Sequence, residues 1–192
     1  MNTGAEMAMN TGAEMAMNTS LAKERGAARP SALRDLLSLL LKIGVIAGVA
    51  ILMFTFVYGL HRNADPGMNP AVKDGDLAVF YRFDKDYAAG DLLVLAFRGE
   101  RQVRRVVAVA GDTVDITEEG LMVNGARQQE PEIYEATQRY ADGPAFPMTL
   151  SAGRVFVLGD SREDATDSRV YGPVNADDTL GSVIALIRRR NM

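Results

Sequence analysis

The chain has 192 residues, 47% of them hydrophobic and 24% charged, enough to bury the core of one domain with attachments. Its 21 Lys+Arg against 25 Asp+Glu give a net charge of -4, which argues against nucleic acid as the main partner. With Cys 0 there are no disulfides, thiolate zinc sites or cysteine nucleophile; with one His, His61, neither a metal, a cofactor nor a His-based triad is expected.

The chain opens on an octapeptide, MNTGAEMA, at Met1–Ala8, which recurs at Met9–Ala16 and begins again at Met17. It has too little bulk to pack, so residues 1–32 read as a disordered cytoplasmic tail. From Ile43 to Leu60 no residue is charged, and extension back to Leu36 adds only Lys42. Residues 36–60 are therefore expected to be a transmembrane anchor, with Lys42 snorkelling near one end and Tyr58 at the other interface. Lys23, Arg25, Arg29 and Arg34 also precede the span, while only Arg62 follows it closely. The positive-inside rule then leaves the N-terminus cytoplasmic and residues 63–192 extracytoplasmic, in a single-pass protein of the cell membrane. A cleavable signal peptide is the rival reading; the long n-region and the lack of a small-x-small site after the apolar run favour a retained anchor.

Beyond the anchor the pattern is mainly β. Short runs rich in branched and aromatic residues occupy Leu77–Phe83, Asp91–Phe97, Gln102–Ala110, Thr113–Thr117, Leu121–Gly125, Arg154–Asp160 and Gly181–Ile187. Gly75-Asp76, Gly90-Asp91 and Gly111-Asp112 punctuate them, and Asn124-Gly125 is a tight-turn signal. Such strands are expected to close into a barrel or folded sheet. The polar, proline-containing stretch Gln128–Ser151 breaks the rhythm and reads as a long surface excursion, either a binding element or an insertion.

Four boxes in this order resemble those of the type I signal peptidase family, membrane-anchored Ser-Lys proteases. Gly67-Met68-Asn69-Pro70, followed by Gly75-Asp76, stands where that family has its Ser-Met-x-Pro motif and the Gly-Asp after it. Arg104-Arg105-Val106, continuing to Gly111-Asp112, matches the Lys-Arg-Val box, and Val123-Asn124-Gly125 matches a Val-Asn-Gly turn. The last box corresponds to Gly159-Asp160-Ser161-Arg162 through Asp167-Ser168-Arg169, with Gly172-Pro173-Val174 behind it. The resemblance implies a signal-peptidase-like antiparallel β domain behind one N-terminal transmembrane helix, with a groove that pairs with an extended peptide.

Carried over residue by residue, the resemblance also implies vacant chemistry. The family needs a Ser hydroxyl as nucleophile and a neutral Lys amine as base. Gly67 stands at the nucleophile, Arg104 at the base, Ala165 at the Ser that orients the Lys, and Asp65 at the oxyanion-stabilising Ser. A guanidinium does not accept a proton at any working pH, and a carboxylate repels an oxyanion. No serine lies between Ser38 and Ser151 and no lysine after Lys85, while Lys73 and Lys85 read as solvated. Met68 and Pro70 are expected to fix the strand entering the groove. Gly75, Gly111, Gly125 and Gly159 are expected at turns, with Asp76 and Asp112 beside the first two. Arg105 is expected to pair with Asp160 and Asp167 with Arg169 to tie the last box together, with Arg162 and Ser168 among its groove or fold residues. The acidic run Asp160–Asp167 lacks the ligand alternation of a calcium loop.

Signal-peptidase-like proteins without the dyad accompany sortase-assembled pili in Gram-positive bacteria, as membrane-bound chaperones. The resemblance thus implies a non-catalytic accessory whose partners are pilin subunits, a sortase or signal-peptide-like segments, with Arg104 offered to an acidic or neutral segment. The alternatives are an active signal peptidase with atypical residues, and a regulator competing with one for pre-proteins.

Overall fold

The computed structural model describes residues 29–188; the octapeptide repeat and the tail reading up to residue 28 lie outside them. The chain divides into two compact units, residues 1–51 and 52–192.

In the first unit the described residues belong to helix α1 (Arg29–Leu52), which a π-helical turn over Met53–Val57 prolongs. The stretch Ala32–Val57 is long and apolar enough to cross a membrane: 26 residues at about 1.5 Å each exceed a hydrocarbon core of about 30 Å. The helix ends before Leu60. Tyr58–Leu60, expected in the anchor, instead open strand β1 (Tyr58–Arg62). A continuous apolar run does not distinguish buried strand from spanning helix. Here pairing decides, with Tyr58 opposite Tyr81 and Arg62 opposite Leu77, and Gly59 lying so close on Phe80 that any Cβ would collide with the ring.

The second unit is antiparallel throughout. Strands β2 (Leu77–Tyr81), β3 (Leu92–Phe97), β4 (Glu100–Ala108), β9 (Arg154–Leu158), β10 (Val174–Asn175) and β11 (Gly181–Ile187) join β1 in a seven-stranded sheet of order β1-β2-β11-β3-β4-β9-β10. Strands β5 (Thr113–Thr117), β6 (Gly120–Val123), β7 (Ala126–Arg127) and β8 (Met148–Thr149) form a second sheet, in the order β7-β6-β5-β8. The two-residue strands β7, β8 and β10 leave no periodic trace in the sequence. One four-residue helix, α2 (Ser168–Tyr171), sits in the last box, capped by the Asp167 carboxylate.

Period-two alternation along β3 sends Leu93 and Leu95 to one face and Val94 to the other, so both faces of the large sheet are covered. Val94 packs with Met68, Phe80 and Val103, and Leu93 with Val106, Val155 and Val157. A third cluster joins the sheets: Val107, Ala108, Phe156 and Leu158 meet Val114, Ile116 and Leu121.

The three Gly-Asp punctuations are one device used three times. In each, the Asp carboxylate accepts from the backbone N–H three residues earlier, Asp76 from Lys73, Asp91 from Ala88 and Asp112 from Val109, at 2.8–3.0 Å. The Asp N–H in turn donates to the carbonyl of that same residue. This reciprocal clasp closes the turn before each strand, and the Gly N–H ahead of each Asp ties the turn to a neighbouring segment, Gly75 to Asn63, Gly90 to Val106 and Gly111 to Leu150. Asp112 also accepts from the Asn124 side chain, and the Val109 N–H holds its carboxyl below the usual range. At the Asn124-Gly125 turn both residues have positive φ, 54° and 76°, as a two-residue hairpin requires.

Candidate functional site

Three segments meet where the resemblance sets its chemistry: the turn after β1, the middle of β4 and the last box. Asp65 caps a 3-10 turn, Pro66–Met68, its Oδ1 accepting from the Gly67 N–H at 2.8 Å. Met68 is buried in the core while Pro70 is exposed, so this segment is a turn plugged into the sheet rather than the strand expected there. The Gly67 carbonyl accepts from the Ser161 N–H at 3.1 Å, which ties the turn to the last box.

Gly67 has no room to spare. A Cβ built there would lie 3.0 Å from the Ala165 Cα, 3.1 Å from its Cβ and 3.0 Å from the Asp65 Oδ1. Gly159 is placed by the same crowding and not by a turn, which corrects the expectation. Its φ is not positive, and a Cβ on it would collide with the Ala165 Cβ and the Gly67 carbonyl oxygen. A three-residue stack of Gly67, Ala165 and Gly159 thus fills the space with backbone.

Arg104 is 1% exposed. Its Nη1 pairs with the Asp65 Oδ2 at 2.6 Å and donates to the Val103 carbonyl at 2.6 Å, while Nε donates to the Thr166 carbonyl at 3.0 Å. The expectation that Arg104 is offered to a bound segment is therefore corrected. Its guanidinium is buried and its charge is matched from within, by the carboxylate expected to face an oxyanion. Burial pushes the nearby Tyr171 hydroxyl well above the usual tyrosine range, against the pull of Arg104. None of Asp65, Gly67, Arg104 and Ala165 carries a hydroxyl or an amine.

Around this centre the last box is laced by charge-assisted bonds. Arg105 forks onto Asp160 at 2.8 and 2.6 Å, the pair expected from the resemblance, and that bond raises its pKa further. Asp167 is fully buried. It accepts from the Gly159 N–H at 3.0 Å and from both Nε and Nη2 of Arg169, at 2.9 and 2.8 Å. Arg169 also donates to the Arg162 carbonyl at 2.6 Å, and Ser168 Oγ accepts from the Val157 N–H at 3.0 Å. Gly75 with Asp76 and Gly111 with Asp112 stay apart from this lattice, in the turn clasps described above.

Two features escaped the sequence. The excursion after β7 is docked on the last box: Arg162 forks onto Glu130 at 3.0 and 2.5 Å and bonds the Thr137 hydroxyl. Glu135 accepts from the Glu163 N–H at 2.8 Å, and the Arg169 guanidinium lies over the Tyr140 ring. An unpaired arginine inside an acidic box was the one available signal. Lys85, expected in solvent, is half-buried; its ammonium caps the turn Ala176–Asp178 by bonding the Thr179 carbonyl and, at 3.1 Å, its hydroxyl. Burial lowers its pKa. This lysine-hydroxyl pair is no replacement dyad, because the Thr179 hydroxyl donates to the Ala176 carbonyl at 2.7 Å and also meets the Tyr87 hydroxyl at 2.6 Å.

The family model described as "Signal peptidase, peptidase S26" matches residues 36–187. Signal peptidase IB of Staphylococcus aureus strain N315 is 27% identical over 168 residues, covering 78% of this chain and 88% of that protein. Signal peptidase I of Bacillus licheniformis is 26% identical over 132 residues, covering 63% and 71% respectively. Among solved structures, a signal peptidase I of Enterococcus faecalis V583 superposes with a TM-score of 0.43 at 23% identity, over 51% of this chain and 97% of that one.

Proposed function

The chain belongs to the signal peptidase, peptidase S26, family, and we propose that it is a member without catalysis, a membrane-anchored binder of extended segments. One observation carries this reading: the buried Arg104–Asp65 ion pair, at 2.6 Å, beside a Gly67 that has no side chain to react. Acyl transfer by this family's route needs a hydroxyl that loses a proton to a neutral amine. A guanidinium has five N–H donors and no acceptor, and this one is already paired with a carboxylate.

In this reading α1 anchors the chain with its N-terminus in the cytoplasm and the β unit outside, as the Lys and Arg residues before the span favour. The partners are pilin subunits or a sortase, in the chaperone role implied by the resemblance to dyad-less relatives. An active peptidase is the second reading, favoured by the names of the relatives.

Cleavage of a labelled pre-protein tests the proposal. Gly67→Ser alone is expected to stay silent, since it supplies a hydroxyl but no neutral amine to take its proton. Asp65→Ser, Gly67→Ser, Arg104→Lys and Ala165→Ser together remove the ion pair and supply the hydroxyl and amine. The expected result is a silent native chain and slow cleavage by the fourfold variant. Cleavage by the native chain overturns the reading.

A further inference from the structure

One stretch of the large sheet is apolar on both faces. Alternation along β2 and β11 sends Ala78, Phe80, Val183 and Leu186 inward, to pack around Met68. The alternate positions point the other way, and among the described residues they join none of the three core clusters. Register stacks them in rows across the strands: Leu60 opposite Val79 and Val79 opposite Ala185, then Arg62 opposite Leu77 and Leu77 opposite Ile187. An antiparallel sheet with a solvated face ordinarily alternates apolar inward with polar outward. Here the outward rows are apolar as well: Leu60 is 48% exposed and Ile187 57%, with Ile184 at the β11 bulge 56% exposed. These rows hold no Asp or Glu, and Arg62 at the far rim is their one charge.

What covers this face follows from where it begins. β1 opens at Tyr58, the residue after Val57, on which the apolar span ends. Four rings mark the junction in a chain of contacts, Phe54 to Tyr58 at 6.1 Å, Tyr58 to Tyr81 at 5.7 Å and Tyr81 to Phe83 at 5.9 Å between centroids. Phe83, at the end of the chain, is 66% exposed. Aromatic rings collect at the boundary between hydrocarbon and water, which suits an apolar body with a wet tip. An apolar face that continues a span and opens on such a belt is addressed to lipid rather than to a soluble partner.

We propose that the outward face of β1, β2 and β11 lies flat on the membrane surface, with Leu60, Ile184 and Ile187 dipped to the acyl-chain boundary and the four rings in the interface. Arg62, at the rim, keeps its guanidinium among the headgroup phosphates while its stem covers apolar surface. The domain is then held at two places, by the span and by the sheet, whether or not it cleaves anything. From Tyr58 to Arg62 strand β1 advances about 13 Å. A domain that touches the bilayer at Tyr58 alone holds Ile187 clear of it, whereas a domain lying on this face immerses it.

The chain has no Trp, so a single introduced Trp reports its own depth. Full-length Leu60→Trp, Phe83→Trp, Ile187→Trp and Tyr134→Trp are reconstituted in phosphatidylcholine vesicles, with and without acyl-brominated lipid. Tyr134, 86% exposed on the strap after β7 that Arg162 staples through Glu130 and Thr137, is the reporter off the face. All four side chains are exposed, so each variant is expected to melt as the native chain does. Leu60→Trp, Phe83→Trp and Ile187→Trp are expected to be quenched about threefold more strongly than Tyr134→Trp. Quenching at Phe83→Trp alone, or at none, would overturn the proposal, as would equal quenching at all four. So would an Ile187→Trp shielded from aqueous iodide yet unquenched by lipid, which places a protein on the face.

Discussion

At the residue scale the centre turns on one ion pair. The Arg104 guanidinium is almost wholly buried, so Asp65 is its counter-charge as well as the cap of the following turn. Removing one partner of a buried pair strands the other. Asp65→Asn is expected to cost about 3 kcal/mol, below the upper end for such pairs because Asp65 is partly exposed, read as a lower urea midpoint at unchanged slope. Replacing both partners by uncharged residues, Asp65→Ala with Arg104→Met, is expected to cost less than Asp65→Asn alone. His61 makes a second expectation. It is half-buried on β1 with Nε2 unpartnered, and burial first, then Arg101, holds its pKa below the ordinary range while Asp65 pulls the other way. The unfolded chain takes up the proton first as pH falls through about 6.5, so this contribution to stability is present above that pH and lost below it. His61→Gln is expected to flatten the stability profile between about pH 7 and 5; an unchanged slope would assign the loss to other groups. That Gly67 and Arg104 carry neither a hydroxyl nor an amine is legible in the sequence itself. The pairing of Asp65 with Arg104 was not, because no local pattern relates a turn after β1 to the middle of β4.

At the scale of elements, seven strands announced themselves through branched residues between Gly-Asp turns; two have the expected bounds and five differ by at most two residues at an end. β1 was hidden because its apolar run continues that of the span, and its pairing with β2, with Phe80 packed on Gly59, distinguishes strand from helix. Gly159 was misread for a related reason: composition marks a glycine but does not say whether φ or close packing demands it. Gly159→Ala is expected to destabilise the domain by about 1–3 kcal/mol, measured by thermal unfolding, since the Cβ has only Ala165 and the Gly67 carbonyl to push against. The excursion was open between binding element and insertion, and its staples hold it against the last box. Glu130→Ala leaves the Arg162 guanidinium without its carboxylate and is expected to speed limited proteolysis within residues 128–147, with the sheets intact. Cleavage at the native rate would show that the strap holds without it.

At the scale of the whole molecule, backbone clasps and ion pairs hold together the antiparallel domain of a signal peptidase, peptidase S26, family member, in which Gly67, Ala165 and Gly159 pack beside the buried Arg104–Asp65 pair. Clasps and core explain why the family boxes persist as turns and lattice. The same clasps work equally well with or without a nucleophile, so keeping the fold is no sign of keeping the reaction. The stretch Ala32–Val57 is long and apolar enough to cross a membrane, which is what the proposed membrane-anchored binder requires. The most direct measurement is single-turnover cleavage of a labelled pre-protein by the native full-length chain in stoichiometric excess, beside an active signal peptidase. No product from this chain, over a time in which the active enzyme finishes, is the predicted result. Product formed at the signal-peptide junction would contradict it and require a nucleophile outside the Gly67 position.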